Sequence, residues 1–541
     1  MEGEKYGAVY TPYSLAKFVA ELLKIESAKD NFRISTILDP ACGEGALLTA
    51  SKEVFGNNIS YRGIDVDKEI KNSLDPSFKI QINDTIIPKR TKKTSADYWR
   101  KKLPQIDAVI ANPPWSSEKI YTKKQLEKAG FSLIDGQYDS YVLFMELAYN
   151  LLMEGGYYAF IIPDSIFEKQ NMPLRKLLAE KMQIRVIARL GEKFFDNVYR
   201  ATTVIVCKKE LPTSSSQTRC FRLTTDDRRS VLTKEVELIT LYNKNSHAVK
   251  QNRFLVNDDY KFDIDLRTEE EDLVTKIKQE CIDWNDIFSF GRGVEISKSG
   301  NVIRCPICNS AQGYKQKQLS EGTKKCQDCK NEIRIDKDDI FTIIKEGKQT
   351  NSVPIIVGEN VRRYISTHDR YVVLDEAGIS YKPKEQYDSP KVLVRKTGLG
   401  IKATIDYNND YTTQTVYILK YKNTNNKNPL EYYLALLNSR AVFYFYLKKY
   451  GENEWKSHPY LTKEILFTLP IKEYEESDID KKIVTLCKSL MKKYSRSKDK
   501  KMERLVMEKY GLTTEEIGTV LKAINQMPDL SVINNMKMEA V

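Results

Sequence analysis

A doubly wound α/β domain followed by a mixed α+β half is the architecture this sequence predicts, on three observations. Over the first 210 residues short apolar runs alternate with helical patterns, the rhythm of a mostly parallel sheet covered on both faces. The first apolar run leads into a Gly-x-Gly turn, Gly43-Glu44-Gly45, that opens a helix. Past residue 218 the alternation stops, and the pattern turns irregular, rich in Tyr and Lys, with two Cys-x-x-Cys pairs near 300–335.

Taken in order, Thr11-Pro12 reads as an N-cap followed by proline at the first helical position. Strands are expected at 34–39, 59–65, 78–83, 106–111, 157–162, 184–190 and 202–207. A helix is expected to open near Gly45. A second spans 139–153, with apolar residues at 141, 144, 145, 148, 151 and 152, and stops at Gly155-Gly156. The polar stretch 211–218 (LPTSSSQT) has no periodicity and reads as a linker. The expected division is therefore a first domain at 1–210, a second at 219–478 and a basic helical segment at 479–541.

Composition narrows the class. Hydrophobic residues make up 41% and charged residues 30% of the 541, which fits a globular protein. No run of 18 apolar residues occurs, so no membrane helix is expected. The N-terminus, MEGEKYGAVYTP, lacks the basic and apolar regions of a signal peptide. Nine cysteines, four of them in Cys-x-x-Cys pairs, favour metal in a reducing compartment over disulfides, so a cytoplasmic protein is expected. The net charge of +12 permits a polyanionic partner, although the eleven Lys/Arg against three acids at 481–510 also fit a solvated helix face.

Two motifs carry chemistry. In ILDPACGEGALL (37–48) the turn bearing Cys42, Gly43 and Gly45 lacks the third glycine of a dinucleotide fingerprint, Leu48 standing in its place. That glycine belongs to turns that hold a pyrophosphate, which S-adenosylmethionine does not have, so the shorter turn suits this cofactor. Asp65, at the end of the second strand, is placed to accept the hydroxyls of a ribose. In DAVIANPPW (107–115) an apolar strand delivers Asn112-Pro113-Pro114-Trp115 to the sheet edge where ligands bind. The lone pair of adenine N6 is delocalised into the ring. Acceptance of its two hydrogens by the Asn112 side chain and the Pro113 carbonyl turns that pair towards a methyl donor, and the prolines stiffen the loop that presents them. Trp115 offers a face for an extruded base.

With these residues in hand the chain resembles the gamma class of N6-adenine DNA methyltransferases of restriction–modification systems, closely over the first 210 residues and more loosely beyond. The resemblance implies a Rossmann-like S-adenosylmethionine-dependent methyltransferase domain, then a mixed α+β target-recognition domain acting on double-stranded DNA. It implies cofactor contacts from Tyr10 and Thr11 in GAVYTP, from Asp39 and Ala41, from the ribose acid Asp65, from the adenine acid Asp84 in INDTI, and from Asn112. It places an aromatic opposite Trp115 within LGEKFFDNVYRATTVIV; spacing favours Phe194, with Phe195 beside it. GRGVEISKSG, VGENVRRYIS, PKVLVRKTGLGIKATID, YYLALLNSRAVFYF and HPYLTKEILFTLPI resemble recurrent segments of the recognition domain and occur in the family's order. A separate cognate restriction endonuclease is an implied partner, since the cofactor motif starts too early for a preceding nuclease domain.

One departure is Cys305, Cys308, Cys326 and Cys329, whose spacing marks a zinc ribbon. A four-thiolate site is closed, so the ion would be structural. Arg304, Lys315, Lys317, Lys324, Lys325 and Lys330 around it would suit DNA phosphates. Cys42, Cys207, Cys220, Cys281 and Cys487 read as packing residues. His247, His368 and His458 are scattered and not expected to be catalytic, and PDSIFEK (163–169) reads as part of the binding cleft. Two alternatives stand beside this reading: a methyltransferase acting on RNA or on a protein glutamine, and a DNA-binding subunit with a degenerate methyltransferase fold.

Overall fold

The computed structural model describes residues 10–89, 91–116, 120–195, 200–297, 299–398, 400–451, 461–527 and 534–540. The chain enters through α1 (Tyr13–Lys29) and then alternates. β1 (Thr36–Asp39), α2 (Ala46–Phe55), β2 (Ser60–Asp65), β3 (Lys79–Ile82), α3 (Ser95–Lys102), β4 (Ile106–Ala111), α4 (Lys123–Ala129) and α5 (Tyr141–Leu151) come first. They are followed by β5 (Leu152–Pro163), α6 (Met172–Lys181), β6 (Gln183–Gly191) and β7 (Thr202–Lys208). Each expected strand is present. β8 (Gln217–Arg222), then α7 (Thr225–Leu232), α8 (Leu238–Asn245) and β9 (His247–Lys250), complete one sheet of order β3-β2-β1-β4-β5-β7-β6-β8-β9. Pairing is parallel from β3 through β5, and β7 runs antiparallel between β5 and β6.

Both faces of the sheet are covered. Val109, Phe160 and Ile162 enter one core, whereas Ala108, Ile110, Ala159 and Ile161 enter the other. Continuous apolar strands such as AFII are what such two-sided burial requires. The chain leaves β1 outward to β2 and β3, then returns to pair β4 with β1 on the opposite side. The carboxyl ends of β1 and β4 thus flank the point where strand order reverses, the place where this architecture leaves a crevice.

Three local readings of the sequence are corrected. Pro12, not Thr11, is the residue at the cap of α1; its carbonyl accepts from Leu15 and Ala16, and the Thr11 hydroxyl serves another bond. The helix at 139–153 ends at Leu151 because Leu152 turns extended, so Gly155-Gly156 lies inside β5 rather than at a helix stop. Gly155 takes φ +79° there, and a Cβ on Gly156 would sit 2.9 Å from the Asp107 carbonyl, so the two glycines let β5 hug β4. Third, the polar stretch 211–218 does not lead out of the first domain. It turns directly into β8, which pairs with β6, and the first compact unit runs to Glu271 and includes 448–451.

The second unit comprises 272–447 and 458–541. Its strands are β10 (Phe288–Arg292), β11 (Asn301–Arg304), β12 (Ala311–Gln312), β13 (Thr323–Lys325), β14 (Glu332–Arg334), β15 (Ile340–Thr342), β16 (Ile344–Glu346), β17 (Ser352–Ile356), β18 (Arg370–Val373), β19 (Lys391–Arg395), β20 (Ala403–Asp406), β21 (Tyr411–Thr412) and β22 (Val416–Tyr421). Two four-stranded sheets, β10-β22-β19-β20 and β16-β18-β17-β21, pack around Val294, Ile356, Leu393 and Ile418. The cysteine insert forms β11–β15. Helices Asp478–Lys492, Arg496–Lys509 and Thr514–Asn525 end the unit. The first of these buries Ile483, Val484, Cys487 and Leu490, so its many lysines occupy the solvated face.

Candidate active site

The turn after β1 is shaped by two residues that only glycine fills without strain: Gly43 at φ +46° and Gly45 at φ +76°. A Cβ on Gly45 would lie 2.4 Å from Leu74 Cδ2. Asp65, ending β2, braces the turn: it accepts from the Gly43 amide at 2.8 Å and from the Asp67 amide at 3.0 Å. Each of its carboxylate oxygens thus holds one amide and keeps a lone pair for a ligand hydroxyl. Asp39, ending β1, is 1% exposed and accepts from the Ala41 amide at 3.0 Å. Burial pushes its carboxyl up to about 8 against that amide, with Asp65 adding to the rise. Cys42 is a packing residue as read: its thiol presses on Gly63 of β2, where a Cβ would come within 2.6 Å. Tyr10 is exposed, and the charge of Glu44 in the glycine turn raises its phenol above the ordinary value.

Asp84 closes the same edge from the end of β3. It caps the chain through the amides of Ile86 and Ile87, both at 2.9 Å, and accepts from the Tyr121 hydroxyl at 2.8 Å. The Asn112 side-chain amide donates to Thr11 Oγ1 at 2.9 Å, joining β4 to the segment before α1 across 101 positions of sequence. Thus Tyr10, Thr11, Asp39, Ala41, Cys42, Gly43, Gly45, Asp65, Asp84 and Asn112 lie along the carboxyl edge of β1–β4. This set has the donors and acceptors that S-adenosylmethionine presents for binding: acceptors for a ribose and an ammonium group, and a glycine turn open to close approach.

Beyond Asn112, Pro113 is buried, while Pro114 and Trp115 are half-buried. Trp115 meets Phe195 edge-to-face, ring centroids 5.2 Å apart at 84°. The ring beside Trp115 is therefore Phe195 rather than Phe194, although both are 6% exposed in the same core. The two are adjacent in a bend after β6, and sequence spacing could not choose between them.

Two residues that the sequence reading missed, Ser140 and Arg200, hold this loop. Ser140 donates its hydroxyl to the Pro114 carbonyl and its amide to the Ser116 carbonyl at 2.8 Å, and accepts from the Ser116 amide at 3.1 Å. Arg200 donates to the Trp115 carbonyl at 2.6 Å, to Ser165 Oγ at 3.1 Å and to the Asp139 carboxylate. PDSIFEK meets the anchor of this loop through Ser165, while Asp164 pairs with Arg189 at 2.6 Å within the fold. The only sequence trace of this arrangement is an Asp-Ser pair just before the apolar helix.

In the second unit the sulfurs of Cys305, Cys308, Cys326 and Cys329 all lie within 4.8 Å of one another. Two cross-pairs stand at 3.8 and 3.7 Å. A tetrahedral ion bound at about 2.3 Å sets its sulfurs about 3.8 Å apart, so the four thiols fit one zinc ion. Each pair is followed by a left-handed residue, Asn309 at φ 62° and Lys330 at φ 63°, which turns the chain back around the site. Four of the surrounding basic side chains are engaged within the unit: Arg304 with Glu376, Lys317 with Glu321, Lys324 with the Gly313 carbonyl and Lys330 with the Gln327 carbonyl. That weakens the expectation of a phosphate-binding surface there, leaving Lys315 and Lys325. His247 is half-buried and pushed down to about 4 by burial, His368 pairs with Asp410, and His458 lies outside the described residues, as do residues 7–9 of GAVYTP.

A doubly wound sheet with an antiparallel β7, a glycine turn after β1 and Asn-Pro-Pro-Trp after β4 define an S-adenosylmethionine-dependent methyltransferase fold, joined here to a C-terminal specificity domain. Residues 1–287 match the N-6 DNA Methylase family, and the chain belongs to it. Residues 353–471 match the TaqI-like C-terminal specificity domain. The chain is 26% identical over 204 residues to "Type II methyltransferase M.TthHB8I" of Thermus thermophilus, covering 36% of this chain and 42% of that protein. It is 28% identical over 245 residues to "Type I restriction enzyme MjaVII methylase subunit" of Methanocaldococcus jannaschii, covering 38% of this chain and 37% of that one. The matches thus span about two fifths of the length of these curated relatives. In fold it is similar to the Type ISP restriction-modification enzyme LlaBIII bound to DNA, with a TM-score of 0.52 at 12% identity over 90% of this chain and 39% of that one. The DrdV–DNA complex gives a TM-score of 0.52 at 12% identity, over 91% and 57%. Among the described residues no helix is long and apolar enough to cross a membrane.

Proposed function

We propose that this protein methylates the N6 amine of an adenine extruded from double-stranded DNA, as the modification enzyme of a restriction–modification or phage-defence system in the cytoplasm, with any cognate endonuclease on a separate chain. The observation that carries it is the Asn112–Trp115 loop at the end of β4, tied to the cofactor edge through Thr11. S-adenosylmethionine, when bound, supplies a sulfonium methyl group, itself a good electrophile. The protein's task is then positioning. Asn112 and the Pro113 carbonyl accept the two N6 hydrogens and Pro114 stiffens the turn. Trp115, with Phe195 or Phe194 opposite, stacks on the base. Asp65 and Asp84 hold the ribose and adenine of the cofactor, Asp39 and Ala41 the methionine end beside Gly43 and Gly45, and Tyr10 and Thr11 close over it. No strong general base is required.

The test is methyl incorporation from labelled S-adenosylmethionine into duplex DNA, RNA and protein in parallel, followed by nucleoside identification. Label in N6-methyladenine of duplex DNA is the expected result. Label confined to RNA or to protein would establish the alternative.

Zinc in the four-cysteine site is proposed as structural, supplying folding free energy to a short segment with a small core of its own. Replacing Cys326 and Cys329 with Ser is expected to remove one zinc per chain by elemental analysis. DNA affinity should fall and cofactor affinity stay. Normal specific binding by the double variant would separate the ribbon from recognition.

A further inference from the structure

Three consecutive carbonyls of the Asn-Pro-Pro-Trp loop are captured, and by two different parts of the fold. Ser140 takes those of Pro114 and Ser116 from the start of α5. The carbonyl between them, that of Trp115, is taken by Arg200 from the entrance to β7. Arg200 is itself held in place. Its second terminal nitrogen reaches Asp139, the residue next to Ser140, and Ser165 at 3.1 Å. Ser165 donates to Asp139 at 2.9 Å and meets the Tyr141 hydroxyl at 3.3 Å, so the anchor is a closed network.

The residue type follows from this geometry. One side chain must donate in two directions at once, to a peptide carbonyl and to a carboxylate–hydroxyl pair. A planar guanidinium does this from a fixed fork, whereas an ammonium is a single point charge. The positive charge is balanced by Asp139, whose side chain is 11% exposed against 36% for Arg200. Bonds to charged groups are the stronger kind, and this one grips the one loop residue whose ring faces Phe195.

We propose that Arg200, braced by Asp139 and Ser165, is a positioning residue for methyl transfer. It holds the Trp115 peptide so that the Pro113 carbonyl and Asn112 stay aimed at the target amine. This rests on the adenine-N6 reading above. Ser140 still fixes the loop on either side when Arg200 is removed, so the loss is one of aim rather than of fold. A displacement on the order of 1 Å in such a loop slows chemistry on the order of 10²-fold.

The experiment compares wild type, Arg200→Ala and Arg200→Lys in single-turnover methylation of duplex DNA. Cofactor affinity is measured in parallel, together with hydrogen exchange of the peptide covering 112–116. Arg200→Ala is expected to slow methyl transfer by about 30- to 100-fold, within the range a misaimed loop produces. Its cofactor affinity should stay within about twofold of wild type, and its loop should exchange faster. Arg200→Lys, which reaches one acceptor at a time, should fall between. Added guanidinium ion should restore part of the Arg200→Ala rate where sodium chloride at the same ionic strength does not. An unimpaired Arg200→Ala rate, or a rate loss matched by an equal loss of cofactor affinity, overturns the inference while leaving the functional reading intact. Wild-type protein that labels no adenine in DNA brings down the functional reading, and the inference with it.

Discussion

Buried polar groups at the cofactor edge and buried charges in the second unit are treated in opposite ways. Asp39 is 1% exposed, with one backbone amide as its hydrogen-bond donor and no ion pair among the described residues. The Trp115 indole nitrogen is buried without a hydrogen-bond partner among the described residues. In the second unit Arg363 makes a two-pronged pair with Asp499, both bonds 3.0 Å, and reaches Glu503 at 3.2 Å. Arg440 meets the same two acids at 3.1 and 2.8 Å. Lys391 and Asp406 pair with both side chains fully buried. Where a group's partner is part of the protein, its charge fastens elements together. At the cofactor edge Asp39 has only a backbone amide to answer it, which leaves it able to meet a ligand.

That contrast can be broken most forcefully in the second unit. Asp499→Ala strands two buried guanidinium groups with Glu503 as their shared acid, and is expected to cost about 3–5 kcal/mol in urea unfolding. Cofactor affinity should be little changed; a comparable loss there would mean that the network serves the first unit too.

The next effect is catalytic. Asn112→Ala should leave stability nearly unchanged yet slow methyl transfer by about 10²- to 10³-fold, the cost of deleting one pre-organised acceptor. Retention of more than about a tenth of the wild-type rate would contradict the assignment.

Smaller is the aromatic effect. Trp115→Ala should lose about 1–3 kcal/mol of base stacking, read as weaker 2-aminopurine brightening at the target position, with Trp115→Phe close to wild type. Running Phe194→Ala and Phe195→Ala in the same assay decides which ring opposes Trp115; a loss on Phe195→Ala alone is the outcome the ring geometry favours.

The smallest concerns Asp39. Its folded carboxyl titrates near 8 rather than at 3.8. The folded protein therefore holds this proton more tightly than the unfolded chain, and the ligand-free form loses stability as pH rises from about 4 to about 8. A cationic ligand favours the ionised form. Cofactor affinity should thus rise by about fivefold between pH 7 and 8, as the ionised fraction grows from about a tenth to a half. Asp39→Asn should flatten both profiles; if calorimetry finds the wild-type profile already flat, Asp39 is not the cofactor's acid.

The sequence was most readable where function is written within a few adjacent residues. The glycine turn, Asn112–Trp115 and the paired cysteines each point to a chemistry through local spacing, and the strands of the first unit declare themselves through runs of buried residues. Arg200 was not readable, because its meaning depends on Trp115, Asp139 and Ser165, which come from three separate elements. The Arg363–Asp499 pair, 136 positions apart, was equally invisible. The stretch at 211–218 misled for a related reason: Ser and Thr favour turns, and a turn inside a sheet has the same composition as a linker. The choice between Phe194 and Phe195 hinged on how the bend after β6 turns each ring, which spacing does not record.

The edge-to-face contact of Trp115 and Phe195 also bears on timing. Carbon surfaces in contact stand about 3.5–4 Å apart, so a base with a ring on each face needs about 7–8 Å between the rings. Their centroids are 5.2 Å apart. If these two rings form the base sandwich, the slot is shut at rest, and a swung-out adenine waits for the door to turn. Capture of a base is then a gated step, because one of the two rings must turn before it enters.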